Sequence, residues 1–165
     1  MKELDDIDRQ LLALLQKDDR LSLADLGKGV GLAASSVNER VKRLVTRGVI
    51  EGFHARVSPE ALGLELLAFV FVSWSDAAVE GPFLARANAS PAVLECHHVT
   101  GGWNCLLKVR VPNTRALERF LGEVIRGVEG VQRTETLIAL SSAKETMSLS
   151  PDPLANGKAW LMPQT

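Results

Sequence analysis

Thirteen residues, Ser35 to Arg47, hold most of the side chains in this 165-residue chain that could recognise a polyanion. Ser35, Ser36, Asn38, Glu39, Arg40, Lys42, Arg43 and Arg47 are interleaved there with Val37, Val41, Leu44 and Val45. At about 100° per helical residue the apolar four gather on one side. Ser35, Glu39, Lys42, Arg43 and Thr46 point the other way, with Ser36, Arg40 and Arg47 along one flank. Guanidinium and ammonium groups suit phosphates, and short polar side chains at a helix start suit base edges. The plain alternative is a solvated amphipathic helix in which Glu39 pairs with Arg43 one turn on. Net charge does not decide, because the chain sums to -1. Placement is more telling: residues 33–56 carry Arg40, Lys42, Arg43, Arg47 and Arg56 against Glu39 and Glu51, a local balance of +3.

A second set, Cys96, His97, His98 and Cys105, has the side-chain types of a metal site. With a hairpin turning at Gly101-Gly102, His98 faces Cys105 and Cys96 shares that side. The spacing matches no paired zinc signature, and cysteine is often simply buried. Glycine-rich phosphate loops, nucleophile elbows and paired catalytic carboxylates are missing from the sequence. The expectation is therefore no catalytic residues, no metal and no cofactor.

These residues must be positioned by elements, and composition bounds which. With 46% hydrophobic and 24% charged residues, the chain reads as an ordinary globular protein. Its acidic start has no signal-peptide core, and Leu66 to Val72 is too short to span a bilayer. Two cysteines exclude a disulfide framework, so a reducing cytoplasm is expected. Ile7, Leu11, Leu14 and Leu15 mark a first helix, with Asp5 and Asp6 able to cap it. A second helix runs from about Leu23 to Val30, burying Leu23, Leu26 and Val30 and stopping at Gly31. The third runs from about Ala34 to Arg47 and ends at Gly48. Helix, helix, short turn, helix predicts a helix-turn-helix, whose second motif helix lies in the major groove.

After a connector closed by Pro59 and Gly63 the period changes. "LLAFVFVSWS", "AVLECHHVT", "WNCLLKVRVP" and "VQRTETLIALSSAK" read as strands. "GPFLARANAS" and "NTRALERFLGEVIRGV" read as helices, the second capped by Asn113 with Leu117, Phe120, Leu121 and Val124 inward. The order β-α-β-β-α-β is the ferredoxin-like arrangement. The fold class is α+β: a winged-helix-like helix-turn-helix domain (1–50), a connector (51–63), a ferredoxin-like domain (64–149) and an irregular tail (150–165). One face of the sheet packs on its helices and the other is apolar and open, which predicts assembly into a homodimer and larger even-numbered oligomers.

The segments "LDDIDRQLLALLQKDDRLSLADLGKGVGLAASSVNERVKRLVTRGVIEGF", "ECHHVTGGWNCLLKVRVPN" and "GVQRTET" together resemble the Lrp/AsnC (leucine-responsive, feast/famine) transcriptional regulators over roughly Leu4 to Glu145. The resemblance implies double-stranded DNA as partner, through Ser35, Ser36, Asn38, Glu39, Arg40, Lys42, Arg43 and Arg47. It also implies dimers assembling up to octamers. A small effector, an amino acid or related metabolite, is implied at a subunit interface near Thr100, Gly101, Gly102, Trp103, Asn104, Thr134, Thr136 and Ile138. Two departures stand out. Ala33 and Ala34 replace the usual Ser-Pro opening of the third helix, which leaves open whether Ser35 or Ser36 caps it instead. Gly101-Gly102-Trp103-Asn104 replaces Gly-Asp-aromatic-Asp, so both loop carboxylates are lost. A weakened response to simple amino acids follows, with an aromatic or keto-acid effector favoured. Siroheme decarboxylases are similar to the same family, which would recruit His97 or His98 with Arg110. An effector-insensitive DNA-architectural protein is the other alternative.

Overall fold

Side-chain caps set the ends of the first two helices. Asp5 accepts from the Asp8 N–H at 2.8 Å and opens α1 (Asp6–Lys17). Ser22 accepts from Asp25 N at 3.1 Å and opens α2 (Leu23–Val30), which Gly31 closes at φ +70°. Both caps satisfy amide groups that a helix start leaves without partners. The third helix, α3 (Ala34–Thr46), has Ala33 at its cap and no side-chain cap bond, so neither serine moves the start. Gly48, at φ +67°, ends it where a left-handed residue is required.

A computed structural model describes residues 4–151, which fall into two compact units, 4–56 with 145–151, and 57–144. The first unit buries Leu11, Leu26 and Val37 at its centre, with Ile7, Leu14, Val30 and Val41 around them. Gly27 makes the tight turn between α2 and α3 possible. Its carbonyl accepts from Leu32 N at 2.9 Å, and a Cβ there would stand 2.4 Å from the Leu32 carbonyl oxygen. Leu23 is 38% exposed and Val45 45% exposed, so both lie at the edge of the stripe rather than inside it. A three-helix unit this small has no fourth wall to cover them.

The segment 145–149, expected with the second domain, instead runs along α1. Gln16 donates to the Leu149 carbonyl at 2.9 Å and accepts from its N–H at 2.7 Å. Arg9 donates to the Pro151 carbonyl at 2.8 Å, and Arg56 to that of Glu145 at 2.9 Å. Gln16 and Arg9 lie seven positions apart on the outer face of α1, which gives the extended chain a straight track. Ser150 and Pro151 have no regular structure, and the rest of the expected irregular tail, 152–165, lies outside the described residues.

The second unit is a four-stranded antiparallel sheet in the order β2-β3-β1-β4: β1 (Leu66–Ser73), β2 (Val93–His98), β3 (Cys105–Val111) and β4 (Arg133–Ile138). Helices α4 (Glu80–Ala89) and α5 (Thr114–Phe120) complete the expected ferredoxin-like order. The hairpin register is the one that a Gly101-Gly102 turn dictates, with His98 opposite Cys105. Ala68, Val70, Val72, Leu107 and Val109 face the helices and pack on Phe83, Ala87, Leu117 and Phe120. After Phe120 the backbone widens to a π turn over Leu121–Ile125, with Arg126 N bonding Leu121 O at 2.9 Å. Leu121 and Val124 pack against the core partly buried, as expected, and the widened turn adds Ile125 and Val128 to the buried set.

On the other face stand Leu67, Phe69, Phe71, Leu106 and Leu137, the last 51% exposed. No helix among the described residues is long and apolar enough to cross a membrane.

Candidate nucleic-acid interface and effector loop

On α3 the structure separates side chains that face water from those that hold the helix. Ser35, Ser36, Glu39 and Lys42 are exposed, while Asn38 and Arg47 are half-buried. Arg40 is committed. Its Nη1 donates to Asp5 at 2.6 Å and to Asp8 at 2.8 Å, across to α1. Arg43 Nη2 reaches both Asp8 oxygens at 3.3 Å, yet the side chain stays 49% exposed. Asp8 itself is 2% exposed, a carboxylate inside the apolar interface of α1 and α3. Two guanidinium groups satisfy it, as burial of a charge demands. The hydrogen bond from Arg40, followed by that from the Asp8 N–H, holds the Asp5 carboxyl below its ordinary range.

Arg40 thus acts as a tie that sets the angle of α3, and Arg43 is part tie and part surface cation. The row Ser35, Ser36, Glu39, Lys42, Arg43 forms one exposed polar strip, hydroxyls at the amino end and cations further along. Lys42 makes no ion pair among the described residues. Sequence reading missed Asp8. The signal was present: an acid at position 8 lies on the inward side of α1, next to Ile7 and Leu11, where water is excluded.

The expected effector residues do not all meet within one chain. Trp103 lies on the open face of the sheet, its ring 5.7 Å from that of Phe71, with the Arg133 guanidinium 4.4 Å above its centroid. Thr134, Thr136 and Ile138 oppose Val72, Val70 and Ala68 and so belong to the helix-facing side, because side chains alternate along a strand. Thr100, Gly101 and Gly102 are exposed at the turn, with Gly101 at φ +102°. Asn104 is pinned at three atoms. Its Oδ1 accepts from Trp74 N at 2.9 Å, its N–H donates to Val72 O at 2.9 Å, and its carbonyl accepts from Val99 N at 3.2 Å. The side-chain oxygen of Asn104, one of the expected effector residues, therefore serves the protein's own backbone. Arg133 and Phe71 are the residues that the sequence did not point to; only the strand pairing brings them to Trp103.

Cys96, His97, His98 and Cys105 divide between the two faces of the sheet. His97 Nε2 lies 3.2 Å from Glu95, which Lys108 also reaches at 3.2 Å. His98 lies 3.7 Å from Glu80 and 3.8 Å from the Cys105 sulfur. The His97 hydrogen bond, then that of Lys108, lowers the Glu95 pKa. Burial pushes the Cys105 thiol up to about 12, helped by the neighbouring Cys96. Among the described residues no three His, Cys, Asp or Glu side chains are arranged to hold a metal ion. Arg110, named with those histidines for tetrapyrrole chemistry, is buried and donates to the Leu64 carbonyl at 3.4 Å.

Comparison with known proteins agrees with this division of labour. Residues 4–51 match a winged helix-turn-helix DNA-binding model, and residues 67–149 match the Lrp/AsnC ligand binding domain. The leucine-responsive regulatory protein of Salmonella typhimurium is 39% identical over 150 residues, 90% of this chain and 92% of that protein. The HTH-type transcriptional regulator FL11 of Pyrococcus furiosus is 38% identical over 146 residues, 88% of this chain and 95% of its own length. A Neisseria meningitidis transcriptional regulator solved with L-methionine superposes at a TM-score of 0.85 with 32% identity, covering 89% of this chain and 96% of that one. Neither the decarboxylase nor the architectural alternative finds support among these relatives. With both domain models matched in order and the relatives covered nearly end to end, the chain belongs to the Lrp/AsnC family of DNA-binding transcriptional regulators.

Proposed function

We propose that this regulator reads duplex DNA with the exposed strip of α3, and that a small metabolite bound by its second unit modulates that binding. The observation that carries the reading is the strip itself, held by the buried Asp8 carboxylate through Arg40 and Arg43. A helix meant only for solvent has no use for a buried ionic tie that fixes its pose. Ser35, Ser36, Asn38 and Glu39 sit where base edges would be met; Lys42, Arg43 and Arg47 sit where phosphates would be. Arg40 serves by positioning. The effector reading draws on the ligand-binding model over 67–149 and on the methionine held by the Neisseria relative. The open apolar face around Phe69, Phe71 and Leu106 favours a second copy as its cover, giving a homodimer and from it larger even-numbered assemblies. The protein carries out no chemistry on this reading.

Lys42→Ala is the test of the DNA surface, since Lys42 supports no fold contact. Binding to specific and random duplexes should weaken alike, and the slope of log affinity against log salt should flatten by about one. Identical salt series for the variant and the parent protein would remove Lys42 from the interface. A Ser36→Ala variant should instead change the ranking among operator sequences.

A further inference from the structure

We propose that residues 145–151 are a latch on α1, and that Gln16 and Arg9, which hold it, are positioning residues for the DNA-reading strip of α3. Their role rests on the α3 reading above: they fix α1, the helix to which α3 is tied.

The latch contains the last residues of the segment that matches the ligand binding domain, which ends at 149, yet it belongs to the first unit. Its grip is on main chain, not side chains. In an extended residue the N–H and C=O point the same way, and the Gln16 amide takes both from Leu149, at 2.7 and 2.9 Å. One side chain thus supplies what a neighbouring strand would. The Ser148 hydroxyl donates to the same Gln16 oxygen at 3.5 Å, and Arg9 donates to the Pro151 carbonyl at 2.8 Å. The apolar side chains of the latch stay in water: Met147 is 90% exposed and Leu149 76% exposed. Resting on a few exposed hydrogen bonds, docking only modestly outweighs the entropy of ordering the chain. The latch can therefore open without unfolding the unit beneath it.

Arg9 and Gln16 sit near opposite ends of α1 on one stripe, roughly a quarter-turn from Asp8 at about 100° per residue. Two grips on one stripe oppose rotation of the helix about its axis. That rotation matters because the ties to α3 leave from Asp5 and Asp8, both at the amino end of α1. A roll of about 20° would carry a carboxylate at the helix's outer radius, about 5 Å, through roughly 2 Å. Bonds of 2.8 Å to Arg40 and 3.3 Å to Arg43 do not survive such a shift. With the latch open, α3 keeps its cations and loses its angle. Phosphate attraction then persists while base contacts lose their register. A docked latch and a bound specific duplex thus favour each other, and coupling of this kind is reciprocal.

Hydrogen exchange and DNA affinity on the full chain measure that coupling from both ends. The probes are the duplex that the parent protein enriches from a random pool and a random duplex of equal length. The enriched duplex should slow exchange over 145–151 by about five- to tenfold, the lower range for coupling between sites, and the random duplex should not. Gln16→Ala should raise exchange there to that of a free chain and weaken the enriched duplex by about the same factor. Its affinity for the random duplex and its melting midpoint should stay near the parent's. Leu149→Pro, which removes the N–H from the latch itself and leaves α1 untouched, should reproduce both effects. If the enriched duplex leaves exchange over 145–151 unchanged and both variants bind it like the parent, the segment is an anchored tail and the latch alone is wrong. A variant that loses enriched and random binding together with its melt shows plain structural support, and the latch is equally wrong. Slowing by both duplexes marks 145–151 as a DNA contact and counts against the latch. If no sequence is enriched, the α3 reading and the latch fall together.

Discussion

Replacing Asp8 by alanine should loosen the recognition helix in a way that a single assay can size. The carboxylate is 2% exposed and takes a 2.8 Å bond from Arg40 and two 3.3 Å contacts from Arg43. A hydrogen bond to a charged group contributes about 1.5–3 kcal/mol net. The full loss on removing one partner of a buried pair, about 3–5 kcal/mol, does not apply here. Arg40 keeps Asp5 at 2.6 Å, and Arg43 is half-exposed and can turn to water. What is lost is close to one strong bond, about 2 kcal/mol. For a unit of this size that lowers the melting midpoint by roughly 10 °C, followed by far-UV circular dichroism. Asp8→Asn, which keeps an acceptor but not the charge, should fall between. Lys28→Ala, which breaks the exposed pair to Asp25 at 3.0 Å, is the control and should leave the melting midpoint close to the parent's. At temperatures where Asp8→Ala remains folded, specific DNA affinity should drop more than random-site affinity, because the released Arg43 still attracts phosphate while the helix pose is loosened. A midpoint within about 2 °C of the parent would refute the claim that Asp8 holds α3.

The same lattice has a pH signature: Asp5 is held below its ordinary range, so its contribution is present above about pH 4 and fades as the pH falls through the depressed folded value. Proton NMR titration of Asp5 should show that depression, and Arg40→Gln should reduce it, leaving the part due to the Asp8 N–H. Gly27→Ala places a Cβ 2.4 Å from the Leu32 carbonyl oxygen, a backbone atom that cannot step aside; thermal melts should show a loss of about 1–3 kcal/mol, and an unchanged melt would mean that the turn relaxes freely. Cys105, pushed up to about 12, and Cys96, raised by burial, should resist iodoacetamide at neutral pH in the folded protein and react once it is unfolded. Rapid alkylation of Cys105 in the native state would contradict its burial.

Local order was legible because it is written in near neighbours. Asp5, Asn113, Gly31 and Gly48 each mark a helix end through atoms no more than a few residues away, and the structure ends the helices there. Alternation and glycine placement likewise carried the strand order and the His98–Cys105 register, since a hairpin turn determines every pair beyond it. The basic strip on α3 was visible for the same reason: helical spacing alone sorts Lys42 and Arg43 from Val37 and Leu44. Tertiary structure decided whatever depends on atoms far apart in the chain. Asp8 meets Arg40 and Arg43 across 32 and 35 residues, and that meeting turns one expected DNA contact into a structural tie. Asn104 looked available until the end of β1, 30 residues earlier, took its oxygen. Arg133 met Trp103 only when β4 paired beside β1. Spacing in sequence fixes which face of an element a side chain occupies; which partner then arrives at that face depends on how elements cross, and periodicity holds no record of it.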